Sequence, residues 1–360
     1  MMKQPRCFSL FGLIQVTCAF LLGFYFYSGT TFLVTKLETY SAIPDINLVS
    51  RSQEDGFKRV VYKTKNRLFA NRRFLINNRE LCSKHAILTA FIFVQMSVGD
   101  FEGRTYVRNR WLNPNLFVEP HMASAFFVGL PQNDSVQERL NIEAGLYGDI
   151  IQGDFIDTYR NISVKNAAAL EWIASYCTNA DHIIKTDSDV FINIVQIIDY
   201  LEKNPVSPRK FKCRKVRHAT IKRLLLPNAT YPYNRSPPYC SGPFYIHRGS
   251  LIQEYLKTAM ETPHTLWSQD VFMTGVVREA MENVTITSGW NTNKLDAHQQ
   301  YLNCGARITN YVIHRNDHKF HADFHVAWAA ALLRLPKELQ QKVNETVLEE
   351  ARTIFPGCKQ

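Results

Sequence analysis

The chain has no charged residue over one long stretch near its N-terminus: residues 8–34 contain no Asp, Glu, Lys or Arg. This stretch is rich in Leu, Phe, Ile and Val, and about 20 helical residues span the ~30 Å hydrocarbon core of a membrane. Lys3 and Arg6 precede it, so the positive-inside rule places the N-terminus in the cytosol. The sequence predicts a cytosolic tail (1–7), a signal-anchor transmembrane helix (8–34) and a lumenal remainder.

A cleaved signal peptide is the alternative interpretation of residues 8–34. The uncharged stretch is longer than the apolar region of a signal peptide, and no clear Ala-x-Ala cleavage site follows it. The anchor is therefore the preferred prediction.

The sequence also lacks a Cys-x-x-Cys pair, which argues against a zinc ribbon. After the anchor there is an even number of cysteines, as expected for disulfides in an oxidising compartment, although the sequence does not choose among the pairings. These cysteines are Cys82, Cys177, Cys213, Cys240, Cys304 and Cys358.

Glycosylation sequons of the form Asn-x-Ser/Thr are frequent in the same part of the chain, and they have meaning only in a glycosylating compartment. Five are predicted to carry a glycan: Asn133, Asn161, Asn228, Asn283 and Asn344. The sixth, Asn234, is the weakest because Pro237 follows its Ser236.

The overall composition, 46% hydrophobic and 21% charged, is that of a globular protein and excludes a disordered one. A net charge of +10 could indicate nucleic acid or anionic lipid as partner. Nucleic acid is excluded if the bulk of the chain is lumenal. The basic segments 58–73 and 209–223 are typical of solvated faces, and they also suit an anionic substrate such as a nucleotide.

Residues 35–80 are polar and basic without a sustained period, which predicts a lumenal stem, and residues 81–360 are predicted to form the folded domain. Buried strands are predicted at 86–96, 124–130 and 181–187, and helices at 104–111, 134–148 and 164–177, with Asp134 as a helix cap. Strands that alternate with helices indicate an α/β fold with a mostly parallel, doubly wound sheet.

The segment Asp187-Ser188-Asp189 ends a predicted buried strand. It is either a metal site or an ordinary acidic turn. In doubly wound sheets the ligand lies outside the carboxyl ends of the strands, which favours a functional site.

Six segments resemble, in order and spacing, the β1,3-galactosyltransferase and β1,3-N-acetylglucosaminyltransferase family (glycosyltransferase family 31). They are "RTYVRNRW" (104–111), "FFVG" (126–129), the segment 143–166, "KTDSDVFIN" (185–193), "PPYCSGPFYIHRGS" (237–250) and "SQDVFMTGV" (268–276). Together they cover roughly residues 90–315, and the ordered set is highly specific.

The resemblance implies a GT-A type fold, a UDP-sugar donor, a divalent cation (usually Mn²⁺) and inversion at the anomeric carbon. It implies that Asp189 is the direct metal ligand, with Asp187 nearer the ribose or bound to the metal through water. His314 matches a late family histidine that can complete the coordination, although a structural role is equally open. Asp270 matches the general base; a helix cap is the compatible alternative.

Contacts to the nucleotide sugar are carried over to Arg104, Arg108, Lys185, Asp187, Ser188 and Gly242. The alternative for the two arginines is a half-buried helix with an ion pair to Asp154 or Asp157. Trp111 is predicted to lie in the core. Trp267 is a candidate for stacking on a sugar ring.

Three departures from the family pattern bear on activity. Gln269 replaces a glutamate beside the expected base, and Pro243-Phe244 replace glycines where the backbone approaches the substrates. Ser188 stands between the outer aspartates, which carry the ligands, and is tolerable there.

The sequence therefore predicts a Golgi, single-pass type II β1,3-linking hexosyltransferase. UDP-galactose or UDP-N-acetylhexosamine is the predicted donor and a glycan on glycoprotein or glycolipid the acceptor. The alternative is an inactive lumenal relative that acts as a glycan-binding module or chaperone.

Overall fold

The computed structural model describes residues 67–69, 73–119, 121–289, 299–302, 312–314 and 320–356. The predicted cytosolic tail and anchor, and most of the predicted stem, lie outside these ranges. Within them, no helix has the length and apolar character needed to cross a membrane. All of the described strands and helices belong to one compact unit, Tyr62–Gln360.

The strands, in chain order, are β1 (Phe74–Ile76), β2 (Leu88–Gln95), β3 (Met122–Leu130), β4 (Ile150–Ile156), β5 (Ala180–Asp187), β6 (Val190–Ile192), β7 (Lys210–Val216), β8 (Tyr239–Arg248), β9 (Thr285–Ser288) and β10 (Val312–His314). The α-helices are α1 (Phe101–Arg108), α2 (Asp134–Tyr147), α3 (Ile162–Tyr176), α4 (Ile194–Lys203), α5 (Ile252–Glu261), α6 (Arg278–Ala280), α7 (Gln299–Leu302), α8 (Phe320–Leu333), α9 (Lys337–Gln340) and α10 (Glu345–Ile354). A π-helix spans Asp270–Val277, and short 3₁₀ turns lie at Arg67–Phe69, Tyr159–Asn161, Ile221–Arg223 and Gly249–Leu251.

Eight strands form one mixed sheet in the order β1-β4-β3-β2-β5-β8-β7-β9. Its centre is parallel, since β4, β3, β2 and β5 run in one direction. β1 and β8 are antiparallel to their neighbours in this central block. The α/β arrangement and the mostly parallel sheet predicted from the alternation of strands and helices are confirmed.

Helices cover both faces of the sheet, as the side chains of β2 show. Ala90, Ile92 and Val94 belong to one buried cluster, with residues of α4, α8 and α10. Phe91 and Phe93 belong to the other, with residues of α3 and α5. A strand that is buried on both faces needs an unbroken run of apolar residues. For this reason the segment 86–96 does not alternate between apolar and polar residues.

Local signals set the bounds of α2. Asn133, not the predicted Asp134, is the N-cap, and its side-chain oxygen accepts a hydrogen bond from the Ser135 amide (2.9 Å). The helix ends at Tyr147, and the next residue, Gly148, caps it with a φ of 66°. This left-handed conformation costs glycine little, so the helix ends there.

The first helix begins before the predicted segment 104–111 because Asp100 caps it. The Asp100 carboxylate accepts a hydrogen bond from the Gly103 amide (2.9 Å). The helix ends at Arg108, yet Trp111 beyond it is fully buried, which confirms the predicted core position.

The folded body includes residues N-terminal to the predicted domain start at 81. β1 pairs with β4, and Leu68 and Phe69 are 2% and 3% exposed within the cluster that contains α3. The C-terminal end of the predicted stem (35–80) therefore overlaps the fold.

Two disulfides are formed in the described part of the chain, which confirms that this region uses its cysteines in bridges. Cys82–Cys177 joins the segment before β2 to the end of α3, and Cys213–Cys240 joins β7 to β8. Cys304 and Cys358 lie outside the described residues.

The sequons lie at the surface, and their glycosylation stays a prediction. Asn133, Asn228 and Asn283 are exposed, and Asn161 and Asn344 are partly exposed. Asn228 and Asn283 have φ values of 60° and 55°, a left-handed conformation that asparagine tolerates in turns.

Candidate active site

The predicted Asp-x-Asp segment lies at the carboxyl edge of the parallel strands. β5 ends at Asp187, which pairs in register with Gln95 at the end of β2. Ser188 and Asp189 form the turn that leads into β6. The edge expected from the sequence is therefore where the structure places these residues.

Lys185 joins this segment to β8. Its ammonium donates to the Asp187 carboxylate (2.5 Å) and to the Gly242 carbonyl (2.6 Å). The Lys185 side chain is only 1% exposed. It therefore holds Asp187 and Gly242 from inside the fold, and its predicted direct contact with a donor stays a prediction.

Asp270 lies beside Gly242. A methyl group built on Gly242 would be 3.5 Å from the Asp270 Oδ2 atom, so backbone and carboxylate are close neighbours. The other oxygen, Oδ1, accepts hydrogen bonds from the Ser268 hydroxyl (2.5 Å) and the Val271 amide (2.9 Å). The carboxylate thus has one oxygen held by the protein and one directed to the β8 backbone.

The helix that carries Asp270 is tied to the same strand. Thr274 donates through its hydroxyl to the Asp270 carbonyl (2.6 Å), and that hydroxyl accepts from the Cys240 amide (2.9 Å). The helix is π-helical over Asp270–Val277, a conformation that is rare and frequent at functional sites. Asp270 is the first residue of this helix and also lies beside Gly242. The two predicted roles of Asp270, at the start of a helix and in the site, are therefore compatible in position.

Tyr239 is a neighbour of Asp270 that the sequence analysis did not single out. Burial raises the pKa of the Tyr239 hydroxyl, and the Asp270 carboxylate raises it further. The sequence could have pointed to Tyr239, because this residue belongs to the segment 237–250 that resembles the family.

The predicted metal ligands are brought together in part. β10 pairs with β6, and this register sets His314 opposite Val190, the residue after Asp189. The side chain of His314 lies outside the described residues. Among the side chains that are described, no three of His, Cys, Asp or Glu are grouped for a metal.

The donor set nevertheless fits a hard divalent cation. Asp187 and Asp189 supply carboxylate oxygens, and His314 has an imidazole at an adjacent register position. Oxygen ligands with imidazole suit Mn²⁺. Phe191, which follows this turn, packs on Tyr301 with ring centroids 5.0 Å apart, so the start of β6 is held by the core.

Arg104 and Arg108 are buried in ion pairs within the fold, and their predicted contacts with the nucleotide stay a prediction. The Arg104 guanidinium is fully buried and donates to both oxygens of Glu143 (2.7–2.9 Å). Arg108 bonds to Glu143 (2.5 Å) and makes a bidentate pair with Asp149 (2.7 and 2.8 Å). Although burial alone lowers the pKa of Arg108, its bonds to Asp149 and Glu143 raise it above the ordinary value.

The alternative prediction is that the arginines form an ion pair with Asp154 or Asp157. Ion pairs are present, but with Glu143 and Asp149. Asp157 pairs with Lys165 (2.8 Å), and Asp154 lies near Arg73 (3.8 Å). Neither aspartate is the partner of Arg104, which pairs with Glu143 instead.

The buried cations hold the loop that leaves β2. Lys165 donates to the Met96 carbonyl (2.5 Å), and Arg104 donates to the carbonyls of Ser97 and Val98 (both 3.1 Å). Burial lowers the pKa of Lys165, although the Asp157 carboxylate opposes this effect. The connection of Arg104 to the carboxyl edge of the sheet is thus indirect, through the backbone of this loop.

Two of the departures from the family pattern lie away from the site surface. Phe244 is fully buried in the core and pairs with Thr186 of β5, so its ring does not fill the space before Gly242. Gln269 is 3% exposed. A glutamate at this position, as in the family, would place its charge inside the fold.

Comparisons with known proteins agree with these motifs. The sequence matches the profile of the Galactosyltransferase family over residues 102–288. It is 29% identical over 228 residues to the mouse protein beta-1,3-galactosyltransferase 1, which covers 62% of this chain and 69% of the relative. It is 29% identical over 197 residues to human beta-1,3-galactosyltransferase 2, which covers 52% of this chain and 46% of the relative.

Likeness to solved structures is weak by comparison. The bifunctional glycosyltransferase WbbM shares 10% identity, covers 76% of this chain and 52% of that chain, and has a TM-score of 0.36. Mouse xyloside xylosyltransferase 1 shares 11% identity, covers 64% of this chain and 98% of that chain, and has a TM-score of 0.32. The assignment therefore depends on the sequence profile, which matches more than half of the chain and includes Asp187, Gly242 and Asp270. On this evidence the chain belongs to the Galactosyltransferase family, glycosyltransferase family 31, and is a glycosyltransferase of that kind.

Proposed function

We propose that the chain is an inverting hexosyltransferase that moves galactose or an N-acetylhexosamine from a UDP-sugar to a glycan acceptor in β1,3 linkage. The observation that carries the proposal is the position of Asp270 beside Gly242. The Gly242 carbonyl accepts a hydrogen bond from Lys185, and Lys185 also donates to Asp187. A carboxylate suited to proton transfer thus lies near the carboxylates suited to a nucleotide diphosphate. The relatives named beta-1,3-galactosyltransferase 1 and 2 support the β1,3-galactosyl assignment.

In this reaction the acceptor hydroxyl attacks the anomeric carbon as the bond from that carbon to the diphosphate oxygen breaks. The hydroxyl proton passes to the Asp270 carboxylate, and UDP leaves with the bonding electrons. Oδ2 is the suitable oxygen, because Oδ1 already accepts from Ser268 and Val271. A positioned general base of this kind contributes typically 10²–10⁴-fold to the rate.

Asp189, Asp187 and His314 would hold Mn²⁺ when it binds. The cation would supply positive charge to the leaving diphosphate. Lys185 keeps the Asp187 carboxylate in place at the end of β5 through a buried ammonium. The protein thereby orients one carboxylate before any ligand binds.

The alternative function, an inactive relative that binds glycans or acts as a chaperone, rested on the altered glycine segment. Phe244 of that segment is fully buried, so its ring does not cover a surface on which a substrate would lie. This favours the enzyme over the inactive relative.

The test of the enzyme is a donor screen with the full-length chain and manganese. We expect UDP release with UDP-galactose or a UDP-N-acetylhexosamine only when a glycan acceptor is present. Asp189→Ala and a chelator should each reduce transfer to background, because both remove the cation from the diphosphate. Transfer that persists in both would exclude the metal role; no transfer with any of these donors would exclude the enzyme.

We also propose a single-pass type II Golgi membrane protein with its catalytic domain in the lumen. The support is the uncharged segment 8–34 together with surface asparagines in sequons. An N-glycosidase should therefore lower the apparent mass of the full-length protein made in an animal cell. An unchanged mass together with a cytosolic distribution would contradict the lumenal location.

A further inference from the structure

An exposed aromatic ring lies near the segment that carries Asp270. Tyr159, in the 3₁₀ turn after β4, is 72% exposed. Its ring contacts Trp267, with centroids 5.8 Å apart and planes at 57°. Trp267 is three residues before Asp270, so their Cα atoms are at most about 11 Å apart. The exposed Tyr159 ring thus contacts the chain segment that leads to the proposed base.

The backbone and the indole nitrogen hold Trp267 firmly. Its amide donates to the Leu224 carbonyl (3.0 Å), and its indole N–H donates to the Arg223 carbonyl (3.2 Å). Its carbonyl accepts from the Ser163 hydroxyl at the start of α3 (2.8 Å). Tyr159 therefore rests on a fixed ring and not on a mobile one.

A cation completes the cluster. The Arg160 guanidinium lies over the Trp267 ring, 4.9 Å from its centroid. Arg160 is exposed, and within the described part of the chain it makes no hydrogen bond. Stacking holds the guanidinium in place and leaves its N–H groups to donate to a ligand.

Resting on the proposed function, we propose that Tyr159, Trp267 and Arg160 form an acceptor subsite that carries a sugar ring of the glycan. A pyranose has an apolar C–H face and a polar rim of hydroxyls. The Tyr159 ring would cover the apolar face, and Arg160 would donate to the rim. Aromatic surface with a few placed polar groups is the usual composition of such sites.

The distance along the chain agrees with this assignment. Three residues of chain keep the Cα atoms of Trp267 and Asp270 within about 11 Å of each other, so a short glycan would be long enough to contact the cluster and Asp270 together. A sugar held on Tyr159 would therefore allow the next residue of the glycan to present its hydroxyl to Asp270. The cluster lies beyond the carboxyl end of β4, on the edge of the sheet where β5 ends at Asp187.

A glycan on the protein itself is the competing occupant, since Asn161 is a sequon two residues from Tyr159. The Asn161 side chain donates to the Ile156 carbonyl (2.8 Å), so it lies on the same turn. The background Asn161→Gln removes this glycan and separates the two occupants.

The experiment measures the acceptor KM and, independently of turnover, the binding of methyl β-galactoside and methyl β-N-acetylglucosaminide by saturation-transfer NMR. We expect Tyr159→Ala to raise the acceptor KM and weaken saccharide binding about three- to tenfold, with UDP affinity unchanged. Tyr159→Phe, which keeps the ring, should restore both. Tyr147→Ala is the matched control: Tyr147 is 55% exposed and has the Arg108 guanidinium 4.0 Å from its ring, but it ends α2 at the opposite edge of the sheet.

The same result in the Asn161→Gln background would support an acceptor subsite. An effect of Tyr159→Ala that appears only with the Asn161 glycan present would overturn it in favour of the protein's own glycan. Equal binding in wild type and Tyr159→Ala, or no saccharide binding in wild type, would also overturn it. Failure of the proposed enzyme would appear differently, as loss of transfer with every donor while NMR still reports the saccharide.

Discussion

Asp270→Asn should reduce kcat by about 10²–10⁴-fold and leave the affinity for UDP and manganese within about twofold of wild type. Asparagine has nearly the shape of aspartate, and its side-chain oxygen can still accept from Ser268 and Val271, the two donors that hold Oδ1. What it loses is the ability to take a proton at the atom beside Gly242. The effect should therefore fall on turnover and not on folding or donor binding.

Steady-state kinetics with the best acceptor, and calorimetry with UDP, measure the two parts of this prediction. Asp181→Asn is the matched control, because Asp181 lies on β5 at the opposite end from Asp187. It should leave kcat unchanged. Equal kcat in Asp270→Asn and wild type would clear Asp270 of a catalytic role, and a parallel loss of melting temperature and UDP affinity would show a structural one.

Sequence alone could place Asp187, Gly242 and Asp270 in one site because each lies in a segment whose type and order are specific. The apolar run before Asp187 predicts a buried strand, and a strand's carboxyl end in a parallel sheet fixes the edge. Those two facts do not require knowledge of side-chain partners. The structure places Asp187 at the carboxyl end of β5 and Asp270 beside Gly242, and their roles stay a prediction.

The partner of Arg104 could not be predicted in the same way. Glu143 is 39 residues away and on another helix, and nothing in the local pattern of α2 distinguishes it from the exposed Glu138. The choice of partner depends on how α1 and α2 pack, which is tertiary information. The orientation of Phe244 could not be predicted either. It replaces a family glycine near the substrates, which suggested that its ring enters the site. Side chains of β8 alternate between the two faces of the sheet, and that of Phe244 points into the core.

The two arginines should therefore matter first for stability. Glu143 is the shared acceptor of Arg104 and Arg108, with side chains that are 9%, 0% and 6% exposed. Removing one partner from a buried ion network leaves an uncompensated charge, which typically costs about 3–5 kcal/mol. Arg104 also holds the carbonyls of Ser97 and Val98, so the loop at the end of β2 depends on the same network.

Glu143→Gln should lower the free energy of unfolding by about 3–5 kcal/mol and the melting temperature by on the order of 10 °C. Glutamine keeps the size of the side chain and can accept through one oxygen, but it cannot balance the charges of Arg104 and Arg108. Thermal and denaturant unfolding measure the effect, with Glu138→Gln on the exposed face of α2 as the control. If the two variants unfold alike, the buried network does not stabilise the fold.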